Sequence, residues 1–148
     1  MAFKIPVSVL VVVHTPDLRA LLLERADPPG FWQSVTGSQN EGETLPETAV
    51  RELKEETGLD AARFHLADWG RQNQFEIYRR WRSRYAPGVT HNTEHVFSLL
   101  VPGPLPVILD PREHLRYDWL PWRVAAEKTF SWTNADAIRE LPRRLSGK

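Results

Sequence analysis

The longest apolar run in the chain, Val7 to Val13, carries five valines and is interrupted only by Ser8. It is far shorter than the ~20 residues a helix needs to span a bilayer. A short run so rich in β-branched residues is of buried-strand type. Pro6 opens it, and His14-Thr15-Pro16-Asp17 supplies turn chemistry after it. Arg19 to Arg25 is expected to return beside it as the second strand of a hairpin. Asp27-Pro28-Pro29-Gly30 reads as a loop, and Phe31 to Thr36 as a short strand ending at Gly37. Further strands are expected at Phe64–Asp68, Gln74–Tyr78, Glu94–Val101 and Leu115–Leu120.

The clearest helix follows Thr44. Thr44-Leu45-Pro46-Glu47 fits a capping box, with Thr44 as N-cap and Glu47 at the third helical position. Pro46 is tolerated because first-turn N–H groups lack helical partners anyway. Gly58 sits where a left-handed residue ends a helix. Leu45, Ala49, Val50 and Leu53 are expected to form the apolar stripe. A short helix is expected over Trp122–Lys128, and a terminal one from about Asn134 to Leu145, capped by Thr133 with Asp136 three residues on. Mixed strands with two or three helices imply an α/β sandwich around a mixed sheet. The 148 residues are expected to form a single domain, 1–148.

Composition narrows the chemistry. There is no cysteine, which excludes disulfides, thiolate metal sites and cysteine nucleophiles. The net charge is zero, with 19 basic and 19 acidic residues, which argues against a nucleic-acid coat protein. No signal-peptide pattern precedes the first strand, so the expected location is cytoplasmic, with neither membrane nor nucleic acid as partner. The charges are nevertheless segregated. Six acidic residues fall between Glu41 and Glu56, and five arginines between Arg71 and Arg84. One cluster could hold a metal and the other an anionic substrate; two solvated faces would look the same in composition. Arg80, Arg82 and Arg84 alternate as if on one face of a strand, where solvation is the commoner fate.

Glu52, Glu55 and Glu56 lie three and four residues apart, so they project within about a third of the helix circumference. Arg51 and Glu55 are neighbours at i,i+4. Close carboxylates repel, and a hard divalent cation removes that penalty. Mg²⁺ takes oxygen ligands and keeps waters that phosphates can replace. Taken alone, the three glutamates are more often a solvated acidic face.

The wider pattern reverses that balance. Gly37, five residues, Glu43, seven residues, then Arg51-Glu52-Leu53-Lys54-Glu55-Glu56-Thr57-Gly58-Leu59 fills every fixed position of the Nudix box. Chance agreement at the fixed positions is on the order of one in 10⁸ or rarer per start, given background residue frequencies. The chain therefore resembles the Nudix hydrolases. The resemblance implies an α/β/α sandwich and Mg²⁺-dependent hydrolysis of a phosphate–phosphate bond, with Mn²⁺ as a substitute. It implies metal ligation by Glu52 and Glu56, with Glu55 close behind. It gives Arg51 the task of orienting a glutamate, Glu43 that of supporting loop and helix, and Gly37 that of close backbone approach to the metal.

Segments outside the box resemble the branch of this family that cleaves dihydroneopterin triphosphate. They include Pro6-Val7-Ser8, Phe31 to Ser38, Phe75-Glu76-Ile77, Arg84 to Thr90, Asn92-Thr93-Glu94, Glu113-His114-Leu115 and Ser131-Trp132. That resemblance implies a third metal ligand at Glu113. It also implies substrate contacts at Lys4, Arg25, Thr36, Phe75, Glu76, Ile77, Tyr78 and Ser131. Lys4 and Arg25 suit phosphate oxygens, and Phe75 and Tyr78 suit a flat bicyclic ring; solvated strand ends and core packing are the bland alternatives. The chain departs from the branch at Arg25-Ala26, where members carry two arginines, and in the Asp110-Pro111-Arg112 loop. His14, His65, His91, His95 and His114 show no metal-ligand spacing, and most of the six tryptophans read as packing residues. Two other functions compete: a general pyrophosphohydrolase of ATP, dATP or oxidised deoxynucleotides, and a non-catalytic nucleotide sensor on the same fold. The sensor reading is weakened by the complete glutamate set. RNA decapping is weaker still without a basic extension.

Overall fold

The structure is a computed structural model that describes residues 3–146. Seven strands and three helices follow one another: β1 (Val7–His14), β2 (Arg19–Arg25), β3 (Trp32–Gln33), β4 (Val35–Ser38), α1 (Leu45–Thr57), β5 (His65–Glu76), β6 (His91–Leu100), β7 (His114–Pro121), α2 (Trp122–Lys128) and α3 (Trp132–Ser146). Short 3₁₀ turns cover Ala61–Arg63 and Arg79–Arg84.

The valine-rich strand is the axis of the molecule. β1 runs parallel to β6 along its whole length, from Val7↔Thr93 to His14↔Leu100. Its other edge is shared. β4 pairs antiparallel with Ser8 to Val11, whereas β2 meets β1 only at His14↔Ala20. β2 instead ladders with β7 and β3. The sheet thus diverges on one side of β1, and the expected hairpin is a splayed one, paired only at its turn end.

Alternation along β1 explains the layering. Val9, Val11 and Val13 face a core completed by Ala49 and Leu53 of α1, while Leu10 and Val12 face one completed by Ala125, Ala126, Ile138 and Leu141 of α2 and α3. All five β1 residues are essentially inaccessible. Burying each stabilises the fold by roughly 1.5–3 kcal/mol, so helices are held on both faces of the sheet. The result is an α/β/α sandwich with a mixed sheet.

Helix α1 has the expected capping box, with Thr44 and Glu47 bonded reciprocally, and ends at Gly58 with φ 75°. Its stripe is narrower than expected: Val50 is 42% exposed, because the packed face is completed by Thr48, Glu52 and Glu56 instead. Other expectations need correction. The strand at Phe31–Thr36 is two strands parted at Ser34, whose N–H donates to Asn134 Oδ1 from α3 (2.8 Å). The two strands anticipated at Phe64–Asp68 and Gln74–Tyr78 are one, β5, with its register shifted between Asp68 and Gln72. Gly70, at φ 65°, takes the irregularity. Arg80, Arg82 and Arg84 do not share a strand face, since they lie in a 3₁₀ turn. Helix α3 begins at Trp132, ahead of Thr133 and Asn134. Among the described residues no helix is long and apolar enough to cross a membrane.

Candidate active site

The divergence of β2 from β4 leaves a cleft of about 890 Å³ reaching from α1 to the start of α3. Every residue singled out from the sequence as catalytic, metal-binding or substrate-binding lines it. They come from the N-terminal segment, β2, β4, α1, β5 and its exit, the residue before β7, and the residue before α3.

At the α1 end, Glu52 and Glu56 are one turn apart and buried. Arg51 holds the cluster together. Its guanidinium reaches Glu43 Oε2 (2.6 Å), Glu52 Oε2 (3.1 Å), Glu55 Oε1 (3.3 Å) and the Ser38 carbonyl (2.9 Å). Glu43 also accepts from the Asn40 N–H and the Thr48 hydroxyl, each at 2.9 Å. The Arg51 contact, more than any other influence, holds the Glu43 carboxyl down to about 2. Glu43 and Arg51 therefore form a fixed ion pair that ties the β4–α1 loop to the helix.

Glu52 and Glu56 have the opposite character. Burial raises both carboxyls above the usual range, and for Glu56 the neighbouring Glu52 and Glu113 push further in the same direction. Glu56 Oε1 is buried with no hydrogen-bond partner. Gly37 lies directly against this pair: a Cβ there would fall 1.9 Å from Glu52 Oε2 and 2.6 Å from its Cγ. Among the described residues no three His, Asp or Glu side chains make a ready metal cage. Yet two buried carboxylates with an orphaned oxygen are what a hard, oxygen-seeking cation would neutralise, so the donor set fits Mg²⁺ or Mn²⁺. Glu55 is half-exposed, and Glu113, exposed, lines the same cleft.

Two cations face these acids. Arg25 Nη1 donates to Gln33 Oε1 (3.3 Å), its Nε to the Asp27 carbonyl (3.1 Å), and its guanidinium lies 4.6 Å from the centre of the Trp81 ring. The Lys4 N–H donates to the Arg84 carbonyl (2.9 Å). Desolvation and then Arg84 lower the pKa of both Lys4 and Arg25. Cations crowded together in this way are relieved by an anion, phosphate included.

An aromatic wall stands beside them. Tyr78 and Trp81 stack at 5.3 Å, and Phe130 meets both edge-on at 5.8 and 6.2 Å. Phe75 lines the cleft as well. Ile77 is buried, with its N–H on the Thr90 carbonyl and its own carbonyl accepting from Arg82 Nε. Glu76 pairs with Arg82. The Thr36 hydroxyl donates to the Val9 carbonyl (2.9 Å), so its oxygen can only accept from a ligand. Ser131 Oγ sits 3.0 Å from Thr133 Oγ1.

Sequence reasoning gives no site role to several cleft residues: Trp81, Phe130, Asn134, and Ser8, Gln33, Asn92 and Glu94, although the last four stand in the segments that carry the resemblance. Asn92 and Glu94 of β6 are detectable. Asn92, Glu94, Val96 and Ser98 occupy alternate positions of one strand, so Val96 marks them as inward-facing. Trp81 and Phe130 carried no such signal, because the 3₁₀ turn and the α2–α3 link bring them in.

Comparison with known proteins agrees with this geometry. A NUDIX domain model matches residues 4–141. The dihydroneopterin triphosphate diphosphatase of Escherichia coli (strain K12) is 49% identical over 142 residues, covering 94% of this chain and 93% of that protein. The Haemophilus influenzae protein of the same name is 43% identical over 143 residues, covering 95% and 89%. The solved structure of the E. coli dihydroneopterin triphosphate pyrophosphohydrolase superposes with a TM-score of 0.89 at 48% identity, over 95% of this chain and 97% of that one. With the box complete, its helix capped as required, and a family match spanning nearly the whole chain, this protein belongs to the Nudix family of hydrolases.

Proposed function

We propose that this chain, as one Nudix domain in the cytoplasm, hydrolyses 7,8-dihydroneopterin triphosphate to the monophosphate and pyrophosphate, a step of folate synthesis. One observation carries the reading beyond the likeness to its relatives. The same cleft joins a buried carboxylate pair, two crowded cations and an aromatic wall, which match the metal-bound phosphates and the flat ring of such a substrate.

Glu52 and Glu56, with Glu113, would hold Mg²⁺, or Mn²⁺ in its place. When bound, the cation neutralises phosphate oxygens and lowers the pKa of a bound water. The chain's own groups do the rest. Arg51 keeps Glu52 and Glu55 in place, itself anchored by Glu43. Lys4 and Arg25 bind phosphate oxygens as charge-assisted donors. A carboxylate of the α1 trio accepts the proton of the attacking water. The oxygen of that water ends on phosphorus, one P–O bond breaks, and pyrophosphate leaves. Phe75 and Tyr78 flank the ring, while Ser131 and the Thr36 oxygen meet its polar atoms. Positioning and charge neutralisation supply most of the rate in such a reaction.

Product analysis of the purified protein tests this. Pyrophosphate and monophosphate are expected together, with no diphosphate intermediate and no turnover after metal chelation. Clean pyrophosphate release with a strong preference for dATP would keep the hydrolase and replace the pterin by a nucleotide. Stepwise orthophosphate release would overturn the single cut.

A further inference from the structure

At the α3 end of the cleft, the sheet carries a buried polar floor. Ser8, Asn92 and Glu94 lie on the face of β1 and β6 that packs against α3, with Ser8 and Glu94 in register. Glu94 is only 3% exposed, yet it lines the cleft. The Thr133 hydroxyl bonds to its carboxyl group, and Thr133 in turn touches Ser131. The other oxygen, Oε1, is buried with no partner. Asn92, also 3% exposed, donates from Nδ2 to Ser8 Oγ (2.7 Å) and leaves its Oδ1 equally bare. Neither strand pairing nor helix packing satisfies these atoms.

Leaving a buried acceptor without a donor is costly, and more so for a carboxylate. Such atoms persist where a ligand completes them. Two residues apart on one strand, the two side chains stand about 7 Å from each other on the same face. Both present bare acceptors. Their natural complement is a ring edge made only of donors. A 2-amino-4-oxopyrimidine ring has one, with an N–H at N3 beside an exocyclic amine. A carboxylate accepts both in a paired, two-bond arrangement, as it does from guanidinium. Phe130 and Tyr78, which line the same cleft, favour a flat ring there.

We infer that Glu94 is the residue that selects the heterocycle: its carboxylate accepts from N3–H and the 2-amino group of the pterin, with the Asn92 carbonyl taking the second amino hydrogen. The inference rests on the pterin reading above and adds the residue that makes the choice. Adenine presents one acceptor and one donor on the equivalent edge, so an ionised carboxylate at Glu94 discriminates against it. Glu52, Glu56, Lys4 and Arg25 serve any triphosphate. Glu94 serves the ring.

The test uses the full chain and its near-isosteric variant Glu94→Gln. Calorimetric titration with 7,8-dihydroneopterin monophosphate holds the phosphate contacts constant. Affinity is expected to fall on the order of 10–100-fold, the usual result of mismatching a buried charged hydrogen bond. The ratio of kcat/KM for dihydroneopterin triphosphate over dATP is expected to fall at least as far. Equal affinity in the two proteins, or a parallel loss on both substrates, would overturn the inference. So would failure of the wild type to bind the monophosphate. If the wild type binds it and Glu94→Gln does not, but no triphosphate is cleaved to pyrophosphate, the recognition stands and the proposed reaction falls. A melting temperature measured on each protein separates lost recognition from lost fold.

Discussion

The cleft buries carboxylates at both ends, and it does so in opposite ways. On α1, Glu52 and Glu56 sit side by side, with Arg51 attached to one of them and Glu43 locked behind. On β6, Glu94 is alone among neutral groups, with a threonine hydroxyl at one oxygen and nothing at the other. Burial raises both sites, but mutual repulsion adds to it only on α1. A crowded pair is relieved by a dication, whereas a lone acceptor is relieved by a neutral donor edge. The same residue type, placed differently, thus suits metal and phosphate at one end and a heterocycle at the other.

The sharpest way to break this comparison is to remove charge from the pair. Glu52→Gln and Glu56→Gln are each expected to lower kcat/KM by about 10³-fold or more, since ligand loss weakens cation binding and transition-state stabilisation together. Both proteins should remain folded, and Glu56→Gln should melt no lower than wild type, because it removes a buried, repelled charge. Near-normal turnover of either at saturating Mg²⁺ would detach the pair from the chemistry.

Gly37→Ala attacks the pair without touching its charge. The new Cβ would occupy the space of the Glu52 carboxyl, 1.9 Å from Oε2. Displacing that side chain should cost on the order of 10²-fold in kcat, by analogy with misplaced catalytic groups generally. Gly37 does not have a left-handed backbone, so the substitution adds no backbone strain. An unchanged rate would mean that Glu52 can swing away and still serve.

Glu113→Ala should have a smaller effect, about 10-fold, falling on kcat more than on KM. Glu113 is exposed, and as the proposed third ligand it would gain importance as charge develops on the phosphates. A change in thermal stability alone would place Glu113 outside the reaction.

The two ends also differ in how far sequence reveals them. The α1 end is local: box spacing, the capping pair Thr44/Glu47 and the stop at Gly58 lie within one loop–helix–loop and need no tertiary knowledge. Even there, helical periodicity alone places Val50 inward, because it carries no sign that buried glutamates share the packed face. The β6 end is assembled from β1, β6 and the start of α3, which together span more than a hundred residues of the chain. Family resemblance brought Ser131 into view, but the hydroxyl chain from Ser131 through Thr133 to Glu94 exists only in three dimensions. The arginine run failed for a related reason. Alternation at Arg80, Arg82 and Arg84 suggests a strand, and the 3₁₀ turn formed instead brings Trp81 to Arg25.

The smallest expected effect concerns stability. Burial, opposed by the Thr133 hydroxyl, pushes the Glu94 carboxyl up to about 7 from an ordinary 4.5. Below pH 4.5 the group is protonated whether the chain is folded or not, and contributes no difference. As pH rises from there, the unfolded chain gives up its proton first, so folding becomes progressively less favourable. Above about pH 7 the full penalty applies, at most about 3 kcal/mol and nearer 1–2 after water entry and relaxation. Glu94→Gln removes this dependence, and its carbonyl can keep the Thr133 bond. The variant should therefore match wild type near pH 4.5 and melt a few degrees higher at pH 8, with most of the difference arising between pH 5 and 7. Thermal denaturation of both proteins across that range gives the answer, and parallel curves would mean that Glu94 is not held as an unsatisfied acid. A variant that is more stable yet poorer at choosing the pterin would identify Glu94 as a residue kept at the expense of the fold for the sake of the ligand.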